Sequence, residues 1–161
     1  MINKSLFVGL LLISPLVFGQ ALPDFNSIKD SLDKSGVVSK SLWKETTKDG
    51  KKKQDATIEG AGKQFMANEQ DITAMYIVVG GEKATENTLS ATSSCLSVFR
   101  AVIPRLTNEQ VDEAIETISL SSKVKGKTLS SQIGGYDIHS SLVPVNDEAL
   151  ILICGVRTSV Y

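Results

Sequence analysis

Two cysteines constrain this chain more than any other feature it carries. Cys95 lies in SSCLSVFRAVIP, residues 93–104, and Cys154 in LILICGVR, residues 150–157. In an oxidising compartment an even count implies pairing, and two cysteines allow one intramolecular connectivity. The bond closes a loop of roughly 60 residues, for which the chain-entropy account gives about 4 kcal/mol. That is a large share of the roughly 5–15 kcal/mol that keeps a single domain folded. Cys95 falls in a helical pattern and Cys154 in a strand pattern. The staple is therefore expected to tie a helical layer onto a sheet. A redox-active pair does not fit. No C-x-x-C is present, and Leu, Ile and Val surround Cys154 where a reactive thiolate needs positive charge and water.

Pairing needs export, and the N-terminus reads as an export signal. Lys4 precedes the apolar run SLFVGLLLISPLVF, residues 5–18. Gly19 and Ala21 then supply small residues where a signal peptidase reads. The expectation is a signal peptide over residues 1–21, cleaved after Ala21, and a single globular domain over residues 22–161. The run is short for a membrane span of about 20 residues, and Pro15 interrupts it. No cysteine follows it, which argues against a lipoprotein. No other stretch is long and apolar enough to cross a bilayer. The expected location is the periplasm or the exterior, with no transmembrane anchor after cleavage.

Hydrophobic content of 42% and charged content of 22% mark a globular chain. Phe25, Ile28 and Leu32 recur at helical spacing, with Gly36 placed to end a short helix. Trp43 reads as a packing residue. Asp49-Gly50 is a hairpin turn signal within a very polar stretch, residues 44–57, which reads as a solvated hairpin tip or loop. The glycines of EGAGKQ read as a bend. They are not a phosphate loop, because Thr57 and Gln64 occupy positions that need Gly and Ser or Thr. ITAMYIVV, residues 72–79, follows a turn at Asn68–Asp71 and is apolar on both faces, as a buried central strand is.

Two longer helices follow. Leu89, Cys95, Leu96, Phe99, Val102 and Ile103 form the apolar stripe of the first, and Pro104 stops it. The second opens with a capping box of Thr107 and Gln110 and carries Val111, Ala114, Ile115 and Ile118 on one face. Its acids Glu109, Asp112, Glu113 and Glu116 suit the N-terminal half of a helix dipole. The last third reads as strands around an Asn146-Asp147 turn, with EALILICGVR again apolar on both faces. The fold class is α+β: an antiparallel sheet of about four or five strands, two longer helices packed on one face, and a short N-terminal helix.

Chemistry is sparse. Asp137, His139 and Ser141 share one face of a strand. Same-face neighbours on a strand are about 7 Å apart, whereas triad members must touch within about 3 Å. His139 therefore reads as a satisfied or exposed surface histidine, and no catalytic residue is assigned. One histidine and two paired cysteines leave no zinc or copper site, and no cofactor is implied. The net charge of −1 favours no nucleic acid. Lys51, Lys52 and Lys53 are the candidate partner contact. The functional expectation is an exported, non-enzymatic binding module of the bacterial envelope that recognises a protein partner, as an inhibitor, an immunity-type protein or an accessory subunit does. The alternatives are a carrier of a small apolar ligand held between helices and sheet, and a hydrolase using His139.

Overall fold

The computed structural model describes residues 20–81 and 84–159. The expected leader lies outside these residues except for Gln20 and Ala21. In chain order the elements are α1 (Phe25–Lys34), β1 (Lys44–Lys48), β2 (Lys51–Ile58), β3 (Lys63–Ala67), β4 (Asp71–Val79), α2 (Ala84–Val102), α3 (Asn108–Lys123), β5 (Thr128–Ile133), β6 (Tyr136–Pro144) and β7 (Ala149–Thr158). The strands form one antiparallel sheet in the order β1-β2-β3-β4-β7-β6-β5. Two meanders, one before and one after the helices, join where β4 pairs with β7.

The α+β class stands, but the sheet has seven strands rather than four or five. The extra strands come from two places. Residues 44–58 form a true hairpin, β1–β2, whose two-residue turn places Asp49 and Gly50 at φ 54° and 73°. That is the geometry an Asp-Gly turn favours, because its twist matches the flanking strands. These strands are polar and so carry no hydrophobic alternation to read. In the last third, Gly134 and Gly135 both take positive φ and split one apparent strand into β5 and β6.

The helices all lie on one face of the sheet. Asp24 caps α1 by accepting the backbone N–H groups of Asn26 and Ser27, and Gly36 ends it at φ 69°. An aromatic row fastens this end of the molecule: Phe25 meets Trp43 at 5.1 Å, Trp43 meets Phe65 at 6.1 Å, and Phe65 meets Tyr76 at 5.9 Å between ring centres. Trp43 is thus a packing residue. Such pairs contribute about 0.5–1.5 kcal/mol beyond area burial.

The stripe of α2 is rotated from the expected one. Ala91, Ser94, Cys95, Val98, Phe99, Ala101 and Val102 face the sheet, while Leu89 is 66% exposed. Small residues at 91 and 94 let the helix lie close to the sheet, and the disulfide fixes its rotation. In α3 the capping box of Thr107 and Gln110 is formed. Its buried face is Ala114, Thr117, Ile118 and Ser121, with Ile115 exposed. Hydroxyl pairs replace apolar contacts here. Thr117 meets Ser131 of β5 at 2.9 Å, and Ser121 meets Ser140 of β6 at 3.1 Å. A hydropathy pattern does not register a contact of this kind.

Cys95 and Cys154 are bonded, with Cα atoms 5.9 Å apart. The staple joins α2 to β7, the strand beside β4 at the centre of the sheet. Both cysteines are fully buried. Replacing both, as Cys95→Ala with Cys154→Ala, is expected to lower stability by about 2–4 kcal/mol. Thermal unfolding should then show a midpoint lower by roughly 10 °C. An unchanged midpoint would contradict a structural role for the bond.

Candidate interaction surface

The helix-free face of the sheet follows from the strand register. Cα partners in antiparallel strands project to the same side. Thr73 pairs with Gly155, Gly155 with His139, and His139 with Ser130. That row lies opposite the row Ala74, Cys154, Ser140, which carries the disulfide and faces the helices. Among the described residues nothing is layered over the first face.

The part of it toward the C-terminal end of β4 is apolar. Ile77 and Val79 of β4 are 51% and 48% exposed. Met75, Val143, Ile151 and Ile153 lie beside them, each partly exposed. The sequence led to the expectation that β4 and β7, apolar on both sides, are buried on both sides. Only one side is covered, because three helices on the same face cannot shield the other. A shallow cleft of about 330 Å³ crosses this strip, lined by Thr57, Gln64, Met75, Ile77 and Ile151 among others.

The two sides of the open face differ in charge. Lys44, Lys51 and Lys53 lie on the β1–β2 side, level with or beyond Thr73 and so toward the opposite end of the sheet from Ile77 and Ile151, together with Asp55, whose carboxylate accepts from the Thr46 hydroxyl at 3.1 Å. Thr128, Ser130 and Gln132 of β5 line the other side of the face and carry no charge. Strand alternation divides the three consecutive lysines. Lys51 and Lys53 share the open face, whereas Lys52 points to the helix side and pairs with Glu45 at 3.3 Å. Lys52 there borders a groove of about 450 Å³ beside α1, floored by Ile28, Ala67 and Ile72.

His139 also belongs to the open face, but it is neither exposed nor satisfied. It is 9% exposed, and Nδ1 has no hydrogen-bond partner. The imidazole lies across Gly155, where an added Cβ would meet the ring at 2.7 Å and the Ile72 carbonyl at 2.5 Å. Glycine at 155 is thus the residue that lets His139 lie flat and β4 approach. Asp137 is engaged elsewhere, by Arg157 Nε at 3.4 Å and by the Ser159 hydroxyl, which donates at 3.2 Å. The acid, imidazole and hydroxyl on this strand therefore do not form a relay. Among the described residues no group of three or more His, Cys, Asp or Glu is placed to hold a metal ion, and no helix is long and apolar enough to cross a membrane.

Burial pushes the His139 pKa below the usual imidazole value, and the Arg157 charge acts in the same direction. The carboxylates of Asp71 and Asp137 oppose the shift without reversing it. Comparison with protein-family models, curated proteins and solved structures returns no match.

This surface is not legible in the sequence of the strands themselves, because apolar residues on both sides of a strand read as burial on both sides. A signal was available: the helices could account for only one face. Two outcomes check the His139 environment. As pH falls through about 6.5, the unfolded chain takes up a proton before the folded one, so stability present at neutral pH is lost on acidification. Denaturant titrations between pH 8 and 5 should show a steeper loss for the native protein than for His139→Gln. Parallel curves would contradict the buried neutral imidazole. Gly155→Ala should cost roughly 2 kcal/mol or more through overpacking, measured in the same titrations.

Proposed function

We propose that the protein is an exported, non-enzymatic recognition module that binds a protein partner through the open face of its sheet. The observation that carries this reading is the exposed apolar strip of Ile77, Val79, Ile151 and their neighbours on the central strands of that face. Contiguous exposed apolar surface with a polar rim is characteristic of protein interfaces. Lys44, Lys51 and Lys53 lie toward the other end of the same face, so a partner that spans the face carries an apolar contact surface and, away from it, acidic residues. Opposed charges there speed encounter and fix orientation. The disulfide supports an oxidising compartment, in agreement with the leader read from the sequence. The engaged state of Asp137 and the unpartnered ring nitrogen of His139 support a binding role over hydrolysis.

A second reading is a small-ligand carrier. The groove beside α1, with its apolar floor and flanking Lys29 and Lys52, has a volume within the range of small-molecule sites.

The test is retention of one stoichiometric partner from envelope extract by immobilised protein, compared across variants. Ile77→Asp with Ile151→Asp should weaken capture by at least roughly tenfold, because apolar anchors at an interface centre dominate affinity. Lys51→Glu with Lys53→Glu should slow association and reduce its salt dependence. Leu89→Asp, on the far side of the molecule, should leave capture unchanged. A partner held equally by all variants, or a co-purifying lipid displaced only by changes in the α1 groove, would overturn the first reading.

A further inference from the structure

The two edges of the sheet are treated differently. β1 is the outermost strand at one edge and carries Lys44 and Glu45. Charges of this kind keep an edge from pairing with another chain. β5 is the outermost strand at the other edge, and its sequence TLSSQI has no charge and no proline. Its polar side chains are short or neutral, and its outer hydrogen-bonding groups meet no strand among the described residues.

A second observation lies one layer above. α3 spreads equally over β5 and β6. Thr117 touches Ser131 of β5, whereas Ser121 touches Ser140 of β6. The flank of α3 that carries Thr117 is therefore the one toward the free edge. Leu120 follows Thr117 at a spacing of three, so it lies on that same flank, and Val124, the residue that ends α3, follows Leu120 at a spacing of four. Both are exposed. The edge thus presents an unprotected strand below and two exposed apolar side chains above.

We propose that this edge pairs with the β5 edge of a second copy, giving a two-fold symmetric dimer with one continuous sheet. Antiparallel pairing centred on Ser131 sets Leu129 opposite Ile133 on the helix side and Ser130 opposite Gln132 on the open side. No like charges meet along the strand. The spacing of the layer above also fits. With α3 over the midline of β5 and β6, and strands about 4.8 Å apart, the two α3 axes lie roughly 10 Å apart across the two-fold axis. Packed helices sit about 8–10 Å apart. Leu120 and Val124 of each copy then face the α3 of the other. One strand edge with one helix flank is a small contact for a specific interface, so association is expected to be weak and reversible. The open face is left free, and this inference is independent of the proposed function.

Sedimentation equilibrium of the purified protein, on the order of 10–500 µM, tests the proposal. The expected result is a reversible rise to twice the monomer mass. Ser130→Lys with Gln132→Lys sets lysines opposite one another across the axis and should weaken the dimer by at least tenfold. Leu120→Glu should do so independently, without touching the strand. All three positions are exposed or at the edge, and thermal unfolding of the variants verifies that they remain folded. A monomer throughout the concentration range would overturn the proposal. So would a dimer that survives both variants, or one lost only on Ile77→Asp, which would move the contact to the open face.

Discussion

The bond between Cys95 and Cys154 determines how the two layers of this molecule meet. It joins the middle of α2 to β7, and β7 is the strand through which the two meanders share one sheet. With that rotation fixed, Ala91 and Ser94 approach the sheet while Leu89 turns to solvent. The aromatic row from Phe25 to Tyr76 then secures α1, and hydroxyl pairs seat α3 over β5 and β6. Each helix has a distinct means of attachment, and all of them attach to the same side.

One-sided packing has a consequence for the strands. β4 and β7 carry apolar residues on both faces, yet only the face bearing Ala74 and Cys154 is covered by the chain itself. The residues on the other face retain their exposure at the expense of favourable burial, which amounts to roughly 25 cal/mol per Å² of apolar surface. On the proposed function, a protein partner supplies the missing layer. The buried, unpaired His139 over Gly155 shows that part of this face is tightly organised as well as apolar.

Much of this was legible in the residues. The disulfide, the Asp49-Gly50 turn, the ends of α1 and the capping box of α3 each follow from local chemistry, and local chemistry survives folding. The strands β1 and β2 were obscured because their pairing is polar, so nothing alternates. The rotation of α2 was obscured because small residues can face either a sheet or water, and only the tertiary staple decides. The open face was misread for a related reason: an apolar residue states a preference for burial without saying which molecule will provide it. His139 shows the same limit, since its burial depends on a glycine sixteen positions away that pairs with it only in the folded sheet.

Hydroxyl-radical footprinting of the protein free of partners tests this account most directly, because it reads the two faces of the same strands side by side. The account requires rapid labelling of Met66 and Met75, on the uncovered face, and protection of Phe65, Tyr76 and Phe99 beneath the helices until the disulfide is reduced. Protection of both methionines in the monomer, or equal labelling of both sets while the bond is intact, would contradict it.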